Sequence, residues 1–536
     1  MTINSKGYAY SMVWKGRELV RNATGGYSDT GGKTTFNFTT GPTVVEQTKD
    51  MIHVAFDSYL ATVHYVLFSG LAGHYQYVIN NNLGSQGEVR SLYRFDPLQF
   101  TWGRTNIKNA PLPSIVDIET GYKVEDETWQ RRNGTYVTKY DFSCFVRDLD
   151  FHGLYGNNVG AFVIAPSKDY YIGDHLKQEL MLHRESSTDD AVLLHMYHGS
   201  HYNSEFSNNI PPGKMWGPWL LYVNNGNLKD AAKRMKQEEA AWPYSWLKDA
   251  DYQNRGKVSG TLVLSDGRPA SGAAVFLGDE NGWETNNQGT HYQYTTYADD
   301  GGSFTFQDVR GQKGYKLLAW ANGGKLSDVD NIFNGTMVSF AQKEHVNLGT
   351  IEWPIPSREI EWQIGDFDKK TLGFRHGGDP MQHGLSDLCP ANLVYSIGVN
   401  KASDWCFAQS AQGNWTVIFD RAKYSNRNAT LTISFAGYTS QNGYGLGADS
   451  YNLPEVIPTG LNVSMNEFLV GQIVSEVATD GALYRSATTS GGYYASRFTI
   501  SSEMFLLDKP NRLDLTLTQN HRWRGIIWDA LKLEWN

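Results

Sequence analysis

Short runs in which apolar and polar positions partly alternate recur along most of this chain. HVAFDSYLATVHYVLF (53–68) is the plainest, and it predicts two strands joined at a polar break. Gly, Asn and Asp separate similar runs through the first 250 residues. One segment has another character. From Asn227, a suitable cap, LKDAAKRMKQEEAAW is rich in Ala, Lys, Gln and Glu and predicts a helix that ends before Pro243. That helix closes a first, strand-rich domain, 1–252.

A second unit, 253–353, opens with KVSGTLVLSDGRPASGAAVFL, in which two strands flank the turn Ser265 to Pro269. In the following ADDGGSFTFQDVRGQKGYKLLAW, Gly301 and Gly302 supply a turn and Phe304 and Phe306 point to one face. Tyr315, Leu317 and Ala319 repeat the alternation on the next strand. This is the pattern of a small sandwich. Pro354 and Pro356 stiffen a connector into a third unit, 354–536, with strands at NWTVIFD, NATLTISFAGY, NRLDLTLTQ and IIWDALKLEW. The last strand is expected to close on EIEWQIGDF near the start of the unit, as in a jelly roll. The fold class read from the pattern is therefore all-β, in three domains.

Composition narrows the function classes. The 536 residues exceed one hydrophobic core, and 13% are aromatic, including 16 Trp and 31 Tyr. A formal charge of -9 argues against nucleic acid or a membrane surface as partner, because both call for an extended basic face. No apolar run approaches the roughly 20 residues that span a bilayer. The opening MTINSKGYAY shows no basic start followed by an apolar stretch. Of the three cysteines, Cys389 and Cys406 are close enough in sequence for a local bridge; buried free thiols are the alternative. Sequons at Asn22, Asn37, Asn133, Asn334, Asn414, Asn428 and Asn462 permit glycosylation without requiring it.

Against this acidic background, cations stand out in three N-terminal segments: Arg90 and Arg94 in EVRSLYR, Lys139 in TKYDFS and His201 in GSHYNSE. Their convergence would make a local pocket for an anion. Arg90 and Arg94 are four apart, which puts both on one face of a strand or helix. The alternative is internal pairing with Glu88 or Asp96. His195, His198 and His201 invite a metal reading, but a spacing of three alternates faces on a strand and no acidic ligand motif follows.

The domain order, the SDGRPASGAAVFL and DGGSFTF patterns, the WQIGDFD opening with its WDALKLEW close, the helix ending in WPYSW and the GSHYNSE segment resemble the rhamnogalacturonan lyases of polysaccharide lyase family 4. The resemblance covers nearly the whole chain. It implies a galactose-mutarotase-like super-sandwich, a fibronectin type III-like sandwich and a carbohydrate-binding jelly roll. It also implies an endo-acting, secreted, monomeric lyase that cuts the rhamnose to galacturonate bond of rhamnogalacturonan I by β-elimination, with no cofactor for catalysis.

On that resemblance Arg90 and Arg94 grip the uronate carboxylate, where fixed cations favour the transition state over the ground state. Lys139 takes the C5 proton. This requires a neutral amine although an unperturbed lysine titrates near 10.4, and burial with nearby arginines works in that direction. His201 protonates or stabilises the leaving oxygen. Fungal relatives carry two tyrosines seven and five positions before the histidine, where this chain has Leu194 and Met196; Tyr197 and Tyr202 are the substitutes it offers for substrate contact. Trp216, Trp219 and Tyr222 could stack on sugars, with core packing the commoner role. A structural calcium in the terminal domain would use Asp529. Two rival readings are a glycoside hydrolase drawing on Asp117, Glu119, Glu125 or Asp141, and a binding protein without activity.

Overall fold

The alternating run at 53–68 becomes part of an antiparallel ladder. In the computed structural model, Met51–Asp57 pairs with Ala61–Phe68 and then with Gly73–Asn80. The structure describes residues 1–536 except 22–23, 32–35, 37, 39–40, 172, 174, 200, 203–207, 280–290, 312–313, 340–342, 421–422, 425, 441–457, 475–479 and 520–522. The sequons at Asn22 and Asn37, and Ser200 with Asn203 to Glu205 of the histidine segment, lie outside the described residues.

The hairpin belongs to a nine-stranded sheet that also holds Phe151–Gly156, Val159–Ile164 and Met215–Asn224. A six-stranded sheet, built around Glu88–Phe95 and Ala191–Gly199, lies over it. Between them are Val63, Tyr65, Val78, Tyr93, Phe95, Leu193, Tyr197, Trp216 and Trp219. The polar groups in this layer are paired, as burial demands: Trp219 Nε1 donates to the Tyr93 hydroxyl (2.9 Å), and that hydroxyl donates to Gln76 (2.7 Å). The outer face of the large sheet is covered by the helix Leu228–Ala241, with Asn227 accepting from the N–H groups of Lys229 and Asp230. Buried Glu238 on that helix takes the hydroxyls of Tyr75 and Tyr244.

The second unit pairs a three-stranded sheet (Arg255–Leu264, Ser303–Arg310, His345–Trp353) with a four-stranded one. Gly302 turns at φ +80°, and a Cβ there would sit 2.2 Å from the Leu262 carbonyl oxygen, so the turn requires glycine. Tyr315, Leu317 and Ala319 share the sandwich core, as the alternation predicts. The intervening Leu318 and Trp320 are buried too. The opposite face of their strand meets both neighbouring domains, with the Trp320 ring 5.6 Å from His175 and 4.5 Å from the Lys369 ammonium.

The third unit is two five-stranded sheets. Its closing strand Gly525–Trp535 pairs with Glu359–Ile364, from Glu359 opposite Trp535 to Ile364 opposite Leu531, so the expected closure of the ends is present. Cys389 and Cys406 form a disulfide, and Cys144 is a buried free thiol. Replacing both bridge cysteines with serine is expected to cost about 3 kcal/mol through the freed 17-residue loop, readable as a lower denaturation midpoint.

No sheet among the described residues takes strands from more than one of the three segments; the domains are joined by ion pairs and by backbone hydrogen bonds such as Gln293 N–H to the Asp169 carbonyl, Phe367 N–H to Ser327 and Gly481 N–H to Tyr202. Asp169 of the first domain is buried between Arg255 (3.0 Å) and Arg310 (3.3 Å) of the second. Asp330 of the second meets Arg497 (3.3 Å) and Lys532 (3.4 Å) of the third. Glu125 and Asp126 of the first reach Arg524 (2.9 Å) and Arg485 (3.3 Å) of the third.

Asp529, the candidate calcium ligand, is buried and hydrogen-bonded in this structure. One of its oxygens accepts from the N–H groups of Asp368 and Lys370, and the other accepts from the Ser434 hydroxyl. Burial and the neighbouring Asp368 push its carboxyl well up, and burial pushes Asp368 to about 6.

Candidate active site

Strand geometry places the first two cations. On Glu88–Phe95, Ser91, Tyr93 and Phe95 turn into the core, so Arg90, Leu92 and Arg94 share the other face of the six-stranded sheet. The neighbouring strand Gly26–Asp29 sets Asp29 opposite Arg90 and Tyr27 opposite Leu92. Arg90 Nε donates to Asp29 (2.9 Å) and its Nη1 lies 3.5 Å from Glu88. Arg94 is held more completely, by Tyr27 (3.2 Å), Thr188 (3.2 Å), Asp190 (3.3 Å) and Glu185 (3.3 Å). The internal pairing with Glu88 is therefore real. Asp96 takes the N–H of Leu98 and the amide of Gln99 instead. Arg90 bonds to two carboxylates and Arg94 to four side chains that brace the same face, and both remain the candidates for holding the uronate carboxylate.

Lys139 opens a 3-10 turn, Lys139–Phe142, that follows the small sheet of Tyr122–Glu125, Thr128–Gln130 and Tyr136–Thr138. The backbone there is tied down. The Thr138 hydroxyl caps the turn at Tyr140 N–H, and Lys139 N–H donates to the Glu127 carbonyl (2.9 Å). Tyr140 and Phe142 are buried beneath the turn, while Lys139 stays partly exposed.

His201 follows the strand Ala191–Gly199, whose last residue passes under the Gly87 carbonyl. A Cβ on Gly199 would lie 1.9 Å from that oxygen. Buried Glu179 anchors the histidine twice, accepting from its backbone N–H (2.9 Å) and facing its Nδ1 (3.2 Å). Glu88 lies 3.7 Å from the same nitrogen. Glu179 in turn lies opposite Cys144, on the strand that continues from the Lys139 turn, so the base candidate and the carboxylate that anchors the acid candidate are mounted on one ribbon.

Two internal groups register the shared field. Burial drives the Glu88 carboxyl upward, yet His201, Arg90, Arg485 and Lys139 together bring it below its ordinary value. Burial drives the imidazole of His183 well down, and Lys139, Arg94 and His201 push it further. Arg90, Lys139 and His201 thus act on Glu88, and Lys139, Arg94 and His201 on His183.

Arg485 is a fifth cation that sequence reading missed. It comes from the terminal domain, meets Asp126 at 3.3 Å and lies 5.3 Å from the ring of Tyr140, whose hydroxyl donates to the same carboxylate (2.6 Å). Its stretch, GALYRSATT, carries no motif, and only the domain contact reveals it. Asp480 fixes the loop that delivers it, accepting from the N–H groups of Tyr438, Ala482 and Gly492 and from the Thr439 hydroxyl.

Other expectations need correction. Tyr197 is fully buried between Trp216 (5.4 Å) and Trp219 (5.3 Å), on the core face of its strand, where no substrate reaches it. Tyr202 is buried against Tyr140 (6.1 Å) and Met381 at the interface with the terminal domain, where it packs the two domains together. Leu194 and Met196, standing where fungal relatives have tyrosines, occupy the outer face opposite Leu92 and Arg90. Trp216 and Trp219 are core residues, and the Tyr222 hydroxyl donates to Asp230 on the covering helix. The three histidines do not converge: His195 lies in the core beside Tyr170 and Tyr171, and His198 faces the Gln86 carbonyl. Of the carboxylates offered for hydrolysis, Asp117 pairs with Arg131, Glu125 with Arg524 and Asp141 with Lys108.

What the arrangement offers is an amine, an imidazole and two guanidinium groups around a carboxylate, at a junction of two β-domains. Comparison with known proteins bears on the domain organisation. Residues 265–332 match domain II of polysaccharide lyase family 4, and residues 361–533 match its domain III. The rhamnogalacturonate lyase of Dickeya dadantii is 30% identical over 509 residues, covering 91% of this chain and 82% of that protein. Rhamnogalacturonate lyase B of Emericella nidulans is 26% identical, covering 83% and 77%, and a probable rhamnogalacturonate lyase B of Aspergillus niger is 27% identical, covering 69% and 59%. With its second and third domains matched in order and one relative aligned almost from end to end, this chain belongs to polysaccharide lyase family 4.

Proposed function

We propose that the chain is a rhamnogalacturonan endolyase acting on the backbone of pectin. The observation that carries the reading is the 30% identity with a rhamnogalacturonate lyase over 91% of the chain. The site is consistent with it: Arg90 lies 3.5 Å and His201 3.7 Å from Glu88, and these with Lys139 and Arg485 lower a carboxyl that burial would raise, the kind of stabilisation a uronate carboxylate needs while charge builds on it.

In the elimination, Arg90 and Arg485 stabilise the substrate carboxylate. Lys139 takes the proton from C5. The C5–H electron pair forms the double bond to C4, the C4–O4 bond breaks with its pair on oxygen, and His201 delivers a proton to that oxygen. The disulfide supports secretion, since such bridges persist in oxidising compartments.

Incubation with rhamnogalacturonan I is expected to raise ultraviolet absorbance while the polymer shortens from within, with chain length falling early. Shortening by loss of small end fragments would replace endo with exo action, and no cleavage would leave the binding-protein reading. Arg485→Ala is expected to raise KM and lower kcat together, reducing kcat/KM by about 10²-fold, because it removes a donor to the carboxylate in both ground and transition states. Unchanged kinetics would remove the terminal domain from the chemistry.

A further inference from the structure

His201 has an arrangement around it that its proposed role does not yet use. Glu179 is almost completely buried, yet its carboxylate is directed at the histidine rather than at a neighbouring domain. One oxygen meets both the His201 backbone N–H (2.9 Å) and Nδ1 (3.2 Å). The other lies 3.5 Å from the Lys177 ammonium, which also donates to the Gly199 carbonyl at the end of the strand that leads to His201. Side-chain orientation, backbone position and the approach of the preceding strand are therefore set by one Lys–Glu pair.

We propose that Glu179 is a positioning residue for the elimination: it holds the His201 ring through Nδ1 and stabilises its cationic form, presenting Nε2–H to the leaving oxygen. The inference rests on the function proposed above. A histidine has two ring nitrogens, and an acid that must deliver a proton from one of them gains when the other is fixed on a carboxylate. Glu88, 3.7 Å from Nδ1, adds to the same side.

The proton balance follows. The Nε2 proton leaves with O4 as the C4–O4 bond breaks, the C5 proton goes to Lys139, and the neutral ring keeps Nδ1–H on Glu179. The charged and titratable neighbours that set this balance are Glu88 and Arg90 on the adjacent strand, Lys177 beside Glu179, and Lys139 and Tyr140 on the turn. His183, Asp126 and Arg485 complete the set.

Glu179→Gln tests this, because the amide keeps an oxygen for both N–H groups while removing the charge. The expected result is a kcat lower by about 10- to 100-fold with KM nearly unchanged, and one limb of the kcat profile moved to lower pH by about one unit. A residue that served only the fold would lower the melting temperature without moving that limb. A second arm needs no variant at Glu179. In the parent protein with nitrogen-15 histidine, the His201 resonance, assigned by its loss in His201→Gln, is expected to report the Nδ1–H tautomer when the ring is neutral. An unmoved pH profile in Glu179→Gln, or an Nε2–H neutral tautomer in the parent, overturns the proposal. A parent that cleaves nothing overturns the lyase reading instead, and the tautomer measurement then still decides whether Glu179 orients the ring.

Discussion

Lys139→Ala is expected to lower kcat on rhamnogalacturonan I by about 10²- to 10⁴-fold with little change in KM, the range a positioned general base contributes. The expectation rests on where the lysine sits. Its backbone is fixed by the Thr138 cap and the Glu127 carbonyl, so the alanine variant should keep the turn and lose only the amine. Its surroundings are shared with Arg90, His201 and Arg485 through Glu88, and with Arg94 through His183. Lys139→Arg provides the control. Arginine keeps the positive charge and is effectively always protonated, so it should bind the polymer and fail to accept the C5 proton. Retained turnover in the arginine variant would assign the base to another group and leave Lys139 as an anchor for substrate charge.

Asp169→Asn is expected to destabilise the pairing of the first and second domains by about 3–5 kcal/mol, the usual cost of breaking a buried ion pair from one side. The loss is large because one carboxylate serves two guanidinium groups. Arg255 and Arg310 are both buried, stacked on Trp242, Tyr252 and Tyr292, and removing the charge leaves them facing each other. The pH dependence has a definite sign. Burial alone would raise the Asp169 carboxyl, but the two arginines hold it at about 2, below the ordinary aspartate range. Its stabilisation is therefore complete above the unfolded value and is lost as pH falls through the folded one. Denaturant unfolding of parent and variant should differ fully at neutral pH and converge between about pH 4 and pH 2. A difference that persists unchanged at pH 2 would contradict the account.

The architecture was legible because strand alternation, turn glycines and one well-capped helix are local signals. Asn227 caps the helix it was expected to cap, and Glu359–Ile364 pairs with the closing strand as its position suggested. The site was legible only in part. Arg90, Lys139 and His201 could be named because each sits in a distinctive run of residues, and the spacing of four correctly put Arg90 and Arg94 on one face. Spacing does not say what partners a side chain already has, so the four side chains that meet Arg94 could not be seen. Tyr197 and Tyr202 were misread for the same reason. A tyrosine looks alike in a core and in a binding site until its strand face is known, and both turn toward buried partners. Arg485 and Glu179 act from hundreds of residues or from a separate strand away, and contacts of that kind leave no periodic trace.

The account stands on elimination being carried out where Lys139, His201, Arg90 and Arg485 meet. The most direct measurement counts both products of each cleavage on rhamnogalacturonan I: unsaturated ends by ultraviolet absorbance and new reducing ends by chemical assay. Elimination predicts one unsaturated end for every new reducing end throughout the reaction. New reducing ends that accumulate without absorbance would mean water had entered the bond, and the lyase reading would be wrong.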